Sequence, residues 1–116
     1  MIHEMSLNPE PFEKIKKGEK TIEIRLYDEK RRSVALGDTV VFSKLPEKTE
    51  KLRVEVVGLS VFKSFRDLFS NFDKSKFGHC SVLSIEDQIK RQREHYSEEA
   101  ERQNGVVGIH IKHIYI

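Results

Sequence analysis

Lys20, Glu23 and Arg25 are the residues of this chain whose types and spacing best suit chemistry. They fall in the stretch 18–26, Gly-Glu-Lys-Thr-Ile-Glu-Ile-Arg-Leu, which alternates charged and apolar positions with period 2, the pattern of a half-buried strand. Ile22, Ile24 and Leu26 take one face; Thr21, Glu23 and Arg25 take the other. At about 3.3 Å of rise per residue, Glu23 and Arg25 stand roughly 6.6 Å apart on that second face. Lys20 lies at the mouth of the strand, just past Gly18, where its long side chain swings over the same face. An acid between two bases on a rigid strand suits a polar or anionic ligand, and Thr21 joins the ligand-binding set by sharing that face. If that ligand is RNA or a nucleotide, a catalytic version has Glu23 as the general base on a ribose hydroxyl or a water. Lys20 and Arg25 then hold phosphate oxygens and stabilise developing negative charge. Tyr27 and Tyr96 are the candidate rings for stacking on a base or donating a proton, since single-stranded RNA is typically read by aromatic stacking. Two blander readings stay open: a strand whose charges face water, and a buried Lys-Glu-Arg network that only fixes the strand.

Several elements must position this stretch. Residues 2–7 form a candidate first strand. Asn8-Pro9-Glu10 then reads as a helix start, with an Asn cap, Pro at the first helical position and an acid in the first turn. Phe12 and Ile15 supply its buried face, Lys14, Lys16 and Lys17 its wet end, and Gly18 its stop, delivering the chain into the key strand. The charge run 27–32 reads as a solvated loop, or as a mobile basic edge that meets a phosphate backbone. Gly37-Asp38 marks a turn before a short strand at 39–43, and 52–62 is the longest β-type run, with Gly58 marking a bulge. Ser64-Phe65-Arg66-Asp67 has capping-box form and opens a short helix that buries Phe65, Leu68 and Phe69; 71–80 follows as an irregular loop. A second capped helix runs from Ser84 to about His95 on a thin apolar stripe of Ile85, Ile89 and Tyr96, so it should lie on the surface. Its Lys90, Arg91 and Arg93 form either an exposed face or a basic rim to the site. Ser97 caps a last short helix to Gln103, Asn104-Gly105 ends it, and 106–116 is a final strand with Val107, Ile109 and Ile111 on one face. Short strands with helices inserted between them predict a small mixed barrel rather than a doubly wound sheet.

At 116 residues the chain holds one domain, and with 34% charged against 37% hydrophobic residues its core is modest. A net charge of +2 permits nucleic acid as a partner without demanding it. The single cysteine, Cys80, excludes an internal disulfide and fits a reducing cytoplasm. No apolar run approaches the ~20 residues of a membrane helix, so the expectation is a soluble cytoplasmic protein with no membrane partner. His110 and His113, three apart on a strand, take opposite faces and make no metal pair; His3, His79 and His95 lack ligand spacing. Cys80 beside His79 reads as a packed small hydrophobe rather than a nucleophile. No cofactor is implied, because neither a Gly-x-Gly-x-x-Gly run nor a Walker-type loop is present.

The pattern Pro11-Phe12-x-x-Ile15-x-x-Gly18-x-Lys20-Thr21-Ile22-Glu23-x-Arg25 resembles the signature of the ASCH domain, a superfamily related to the PUA RNA-binding domain. The likeness continues through 26–32, Gly37-Asp38, Phe65-x-x-Leu68-Phe69, Tyr96-Ser97-x-Glu99 and Gly105-Val106-Val107-Gly108-Ile109, and so covers essentially the whole chain. It implies an α+β fold: a small mixed PUA-like β-barrel with flanking short helices, and a cleft into which Lys20, Glu23 and Arg25 point. It also implies RNA or a nucleotide-like small molecule as partner, in RNA processing or metabolism. The alternative is a hydrolase, since one branch of the superfamily removes acetate from 4-acetylcytidine and other ASCH proteins act as ribonucleases. The amidohydrolase branch uses a lysine and a threonine of this strand with a distant glutamate. Lys20 matches that lysine, but Glu23 stands where the threonine would, and Thr21 is one residue past the lysine rather than three.

Overall fold

In the computed structural model, which describes residues 1–114, five strands form one sheet in the order β1 (Ile2–Leu7), β3 (Thr39–Lys44), β4 (Lys51–Phe62), β5 (Val106–His113), β2 (Ile22–Leu26). β1 runs parallel to β3, and every other neighbouring pair is antiparallel. β1 and β2 end the order, so each keeps one free edge. The sheet curls so that those edges face each other across a seam, and Arg25 of β2 donates from Nη2 to the Ser6 carbonyl of β1 at 2.9 Å. The small mixed barrel expected from sequence therefore takes the form of a curled five-stranded half-barrel, bridged across its seam by side chains.

Two apolar cores sit on the two faces of the sheet. Inside the curl, Phe12 and Ile15 of α1 (Pro9–Lys16) pack with Val40, Phe42, Val54, Val107 and Ile109. On the other face, Ile22, Ile24 and Leu26 of β2 pack against Phe65, Leu68 and Phe69 of α3 (Phe65–Asn71) and against Phe77. The period-2 split read from the sequence is thus observed. Its apolar side serves the helical layer, and its charged side faces into the curl.

Local chemistry explains most element ends. Pro9 opens α1, but Asn8 is only extended backbone at that point, and the side-chain cap expected of it is not made. After the last turn Gly18 takes φ +78°, and the Glu19 and Lys20 amides both donate to the Lys14 carbonyl, turning the chain toward β2. The register of β4 slips at Val56/Gly58, where the expected bulge lies, and His110 crosses so close to Gly58 that an added Cβ would stand 3.1 Å from it. Ser64 caps α3 by accepting the Asp67 amide, while the full reciprocal box forms at Ser84 and Asp87.

Four expectations need correction. The charge run is not a loop: Asp28 caps a one-turn helix, α2 (Glu29–Arg32), because its carboxylate accepts the Arg31 amide. Its cations are tied down rather than mobile, Lys30 to the Glu4 carbonyl, Arg31 to Asp28, and Arg32 over the Tyr27 ring and to the Asn104 carbonyl. Within the expected irregular loop, Lys74–Phe77 forms a 3₁₀ turn that buries Phe77. The helix after Ser84, α4 (Ile85–Gln92), stops short of His95, and its buried residues are Gln88 and Gln92 rather than the isoleucines. Finally, β5 ends at His113, and positions 115–116 of the predicted strand lie outside the described residues. The last helix, α5 (Glu98–Asn104), ends at Gly105 as expected, with φ +72° there.

At Gly108 β5 passes close to both β2 and α3. A Cβ there would stand 3.0 Å from both Ile22 Cγ2 and Leu68 Cδ1. Gly108→Ala should overpack this junction and lower stability by about 1–3 kcal/mol. Urea unfolding would show this as a lower midpoint at unchanged slope.

Candidate functional site

Antiparallel pairing sets Glu23 opposite Ile109 and Arg25 opposite Val107, so the two charged side chains share the inner face with the apolar core of the curl. Glu23 is 4% exposed and Lys20 8%, which removes the reading in which these charges face water. Lys20 Nζ lies 3.1 Å from Glu23 Oε1, and Arg25 Nε donates to Glu23 Oε2 at 2.7 Å. Arg25 Nη2 continues to Ser6, so one guanidinium holds both the carboxylate and the seam. Burial opposes charge on Glu23, but the fields and hydrogen bonds of Lys20 and Arg25 outweigh it and hold the carboxyl below its ordinary range.

These three residues form the floor of a cleft of about 580 Å³. Ser6, Glu10 and Lys14 line the β1–α1 wall, and His79, Arg91 and Tyr96 line the opposite one. The chain 77–79 closes one end. Lys14 Nζ donates to the Gly78 carbonyl at 2.6 Å and pairs with Glu10 at 3.1 Å. Gly78 has φ +76°, and a Cβ there would meet Lys14 Cδ at 3.0 Å and Lys20 Cβ at 3.2 Å, so only glycine lets the turn cross both lysine stems. His79 Nδ1 lies 3.0 Å from the Nε2 of the fully buried Gln88. Burial, then the charges of Lys20, Arg91 and Lys14, lower the His79 pKa to about 4, so its ring is neutral near pH 7. Among the described residues Arg91 has no ion-pair or hydrogen-bond partner for its side chain.

Of the residues singled out from sequence, Lys20, Glu23, Arg25 and Tyr96 meet in this cleft. Tyr96 has one ring face stacked on Phe65, with centroids 5.9 Å apart, and burial raises its hydroxyl above the ordinary tyrosine range. Thr21 is not among the lining residues; its backbone bonds to Lys76 and Ile111 anchor the start of the strand. Tyr27 lies elsewhere, in a second hollow of about 770 Å³, with the Arg32 guanidinium 4.3 Å from its ring centre. Of the expected basic rim, Arg91 reaches the cleft, whereas Arg93 pairs with Glu101 at 2.5 Å beside the second hollow. Lys14, His79 and Gln88 were not anticipated. Lys14 and His79 are brought together by the 3₁₀ turn, for which the Asp73 cap and the left-handed Gly78 are the local signals, whereas a buried glutamine gives none. Among the described residues no three His, Cys, Asp or Glu side chains are placed to hold a metal ion.

A curled mixed sheet with short helices around a charged seam defines a PUA-like α+β domain. Within that class, the model of the ASCH domain matches residues 5–114, and the chain belongs to this family, one generally linked to RNA binding. The crystal structure of the hypothetical protein PH0355 is 39% identical with a TM-score of 0.86, covering 98% of this chain and 100% of that one. The solution structure of protein PF0455 from Pyrococcus furiosus is 40% identical with a TM-score of 0.76, over 100% of both chains. The ASCH protein of Zymomonas mobilis shares the fold alone, at 16% identity and a TM-score of 0.63 over 96% of this chain and 66% of that one. Comparison with the curated proteins returns no match.

Two outcomes follow from the electrostatics of the floor. Glu23→Gln leaves two buried cations without their shared anion and should cost about 3–5 kcal/mol, measured by urea unfolding at neutral pH. Stability should also fall on acidification. His79 titrates near 4 in the fold against an ordinary 6.5, so the unfolded chain takes up its proton first and stability is lost as pH falls from 6.5 toward 4. Glu23, lowered from 4.5, stabilises above that value and extends the loss to lower pH. His79→Gln should flatten the upper part of this profile and leave the lower part in place.

Proposed function

We propose that the cleft binds RNA or a nucleotide-like small molecule, in RNA processing or metabolism in the cytoplasm. The observation that carries this reading is the charge balance of the floor: two cations, Lys20 and Arg25, share one carboxylate, Glu23. A net positive charge is thereby fixed in a nearly dry site, where an unpaired charge is costly and an incoming anion is strongly favoured. The rest of the lining agrees, since Lys14 and Arg91 join the floor cations and together outnumber Glu10, Glu23 and Glu94. A cleft of about 580 Å³ is in the range of small-molecule sites, and Tyr96 and His79 offer ring edges or faces at its wall. Membership of a family generally linked to RNA binding supports the same partner.

The state of Glu23 favours binding over the hydrolytic alternative. Both carboxylate oxygens are engaged, and a carboxyl held below its ordinary range is a weak acceptor for a ribose or water proton. Lys20 and Arg25 act instead as fixed donors for phosphate or carbonyl oxygens.

Lys20→Ala and Arg25→Ala, each first checked for folding by circular dichroism, should weaken binding of single-stranded RNA. Each should also lower the slope of log Kd against log salt by about 0.7 for every phosphate that the variant no longer neutralises. Weakened binding with an unchanged slope would remove the electrostatic reading. In parallel, mass spectrometry of intact RNA and of a nucleoside digest after incubation should show no change with the wild type. Shortened chains or lost acyl groups that vanish in a Glu23→Gln variant shown by circular dichroism to be folded would instead establish the hydrolase.

A further inference from the structure

The end of the cleft near α1 differs chemically from its floor. Here the turn 77–79 lies across the stems of Lys14 and Lys20, and its Gly78 carbonyl fixes the Lys14 ammonium at 2.6 Å. From behind, the buried Gln88 amide reaches His79 Nδ1 at 3.0 Å, with the Phe69 and Phe77 rings each 5.9 Å from the imidazole. With the Gln88 amide nitrogen as the donor, Nδ1 accepts and the ring proton is assigned to Nε2, which has no protein partner among the described residues. Arg91, unpaired among those residues, completes the group from the last turn of α4.

Resting on the reading of the cleft as a nucleotide site, we propose that this end is a seat for a phosphate monoester, received by Lys14, Lys20, Arg91 and the Nε2–H of His79. A phosphate monoester carries about −1.5 to −2 charges and three acceptor oxygens near pH 7, which matches a cluster of separate donors better than a singly charged diester does. The ligand is therefore a free nucleotide or a phosphorylated RNA end.

Filling the seat also changes His79. The charges that hold its proton affinity down, after burial itself, are Lys20, Arg91 and Lys14, and Glu10 opposes them. A bound dianion offsets those three cations, so the ring takes up a proton more readily in the complex than in the free protein. Affinity for a dianion with no titration of its own should rise as pH falls from about 6.5 toward 4.

Binding of hexauridylate with a phosphate at one end or with hydroxyls at both, and of uridine monophosphate, tests the seat. The phosphorylated hexamer should bind about tenfold or more tightly than the hydroxyl-ended one, the gain expected of charge-assisted donors. Arg91→Ala and Lys14→Ala should each erase that preference. Uridine monophosphate binding as tightly as the phosphorylated hexamer would assign the seat to free nucleotides, and weaker binding would assign it to RNA ends; both support it. Histidine ¹⁵N resonances should report the Nε2–H tautomer, and inorganic sulfate should raise the His79 pKa. Equal affinity for the two hexamers would overturn the seat while the RNA reading stood. An Nδ1–H tautomer, or no rise with sulfate, would remove His79 from it. Failure of every probe to bind would overturn both readings.

Discussion

One carboxylate organises this domain. Glu23 is buried on the inner face of β2, where an isolated charge would be prohibitive, and it stays ionised because Lys20 and Arg25 reach its two oxygens. Arg25 is also the side chain that crosses from β2 to β1. The ion network and the closure of the half-barrel are therefore one structure. Loosening the carboxylate loosens the seam, and a shift at the seam moves the donors at the bottom of the cleft. Such a network is weak evidence for stability taken alone, since apolar residues would fill the space at less cost. Its value lies in fixing three charged groups in one arrangement along β2 and at its mouth.

The walls follow from the same economy of positions. A sheet closed by backbone pairing would leave no opening between β1 and β2; one bridged by a guanidinium leaves a gap that α1, the turn 77–79 and α4 border. Placing Gln88 and Gln92 on the buried side of α4 gives the helix a polar face where an apolar stripe would have made only packing. Gln88 holds the orientation of His79, and Gln92 lines the cleft. Support of this kind, from side chains locked behind those that line the cleft, keeps its geometry defined.

Much of the fold was legible because its signals are local. Alternation in 22–26 gave β2 and the division of its faces; Pro9, Gly18, Ser64, Ser84 and Ser97 marked helix ends; Gly58 marked the bulge. Glu23 and Arg25 were found together because strand geometry puts them on one side, and Lys20 because its long side chain reaches that side from the mouth of the strand. What escaped depends on the meeting of distant segments. No periodicity reveals that the charged face of β2 turns inward, since that follows from the curl of the whole sheet. His79 becomes interesting only once Lys14, Lys20 and Arg91 converge on it from three other segments. The run 27–32 looked solvated by composition, yet Asp28 nucleates a turn of helix, and the carbonyls of Glu4 and Asn104 take up Lys30 and Arg32. Tyr27 and Tyr96, equivalent as residue types, were sorted into different hollows by packing alone.

The bridged seam has a consequence for how copies of this domain coexist. In β1 the carbonyls of Met1 and Leu7 are used toward β3, so those of Glu4 and Ser6 lie on the open edge. Those two oxygens are the ones occupied by Lys30 and Arg25. An exposed strand edge is a template on which another chain's strand can add, and lysine or arginine laid across it removes the free acceptors while presenting charge to any newcomer. Arg25, which shapes the floor of the cleft, and Lys30, which lies outside its lining, thus together keep the margin of the sheet from recruiting its neighbours, so that one guanidinium serves both the interior of the domain and its solubility.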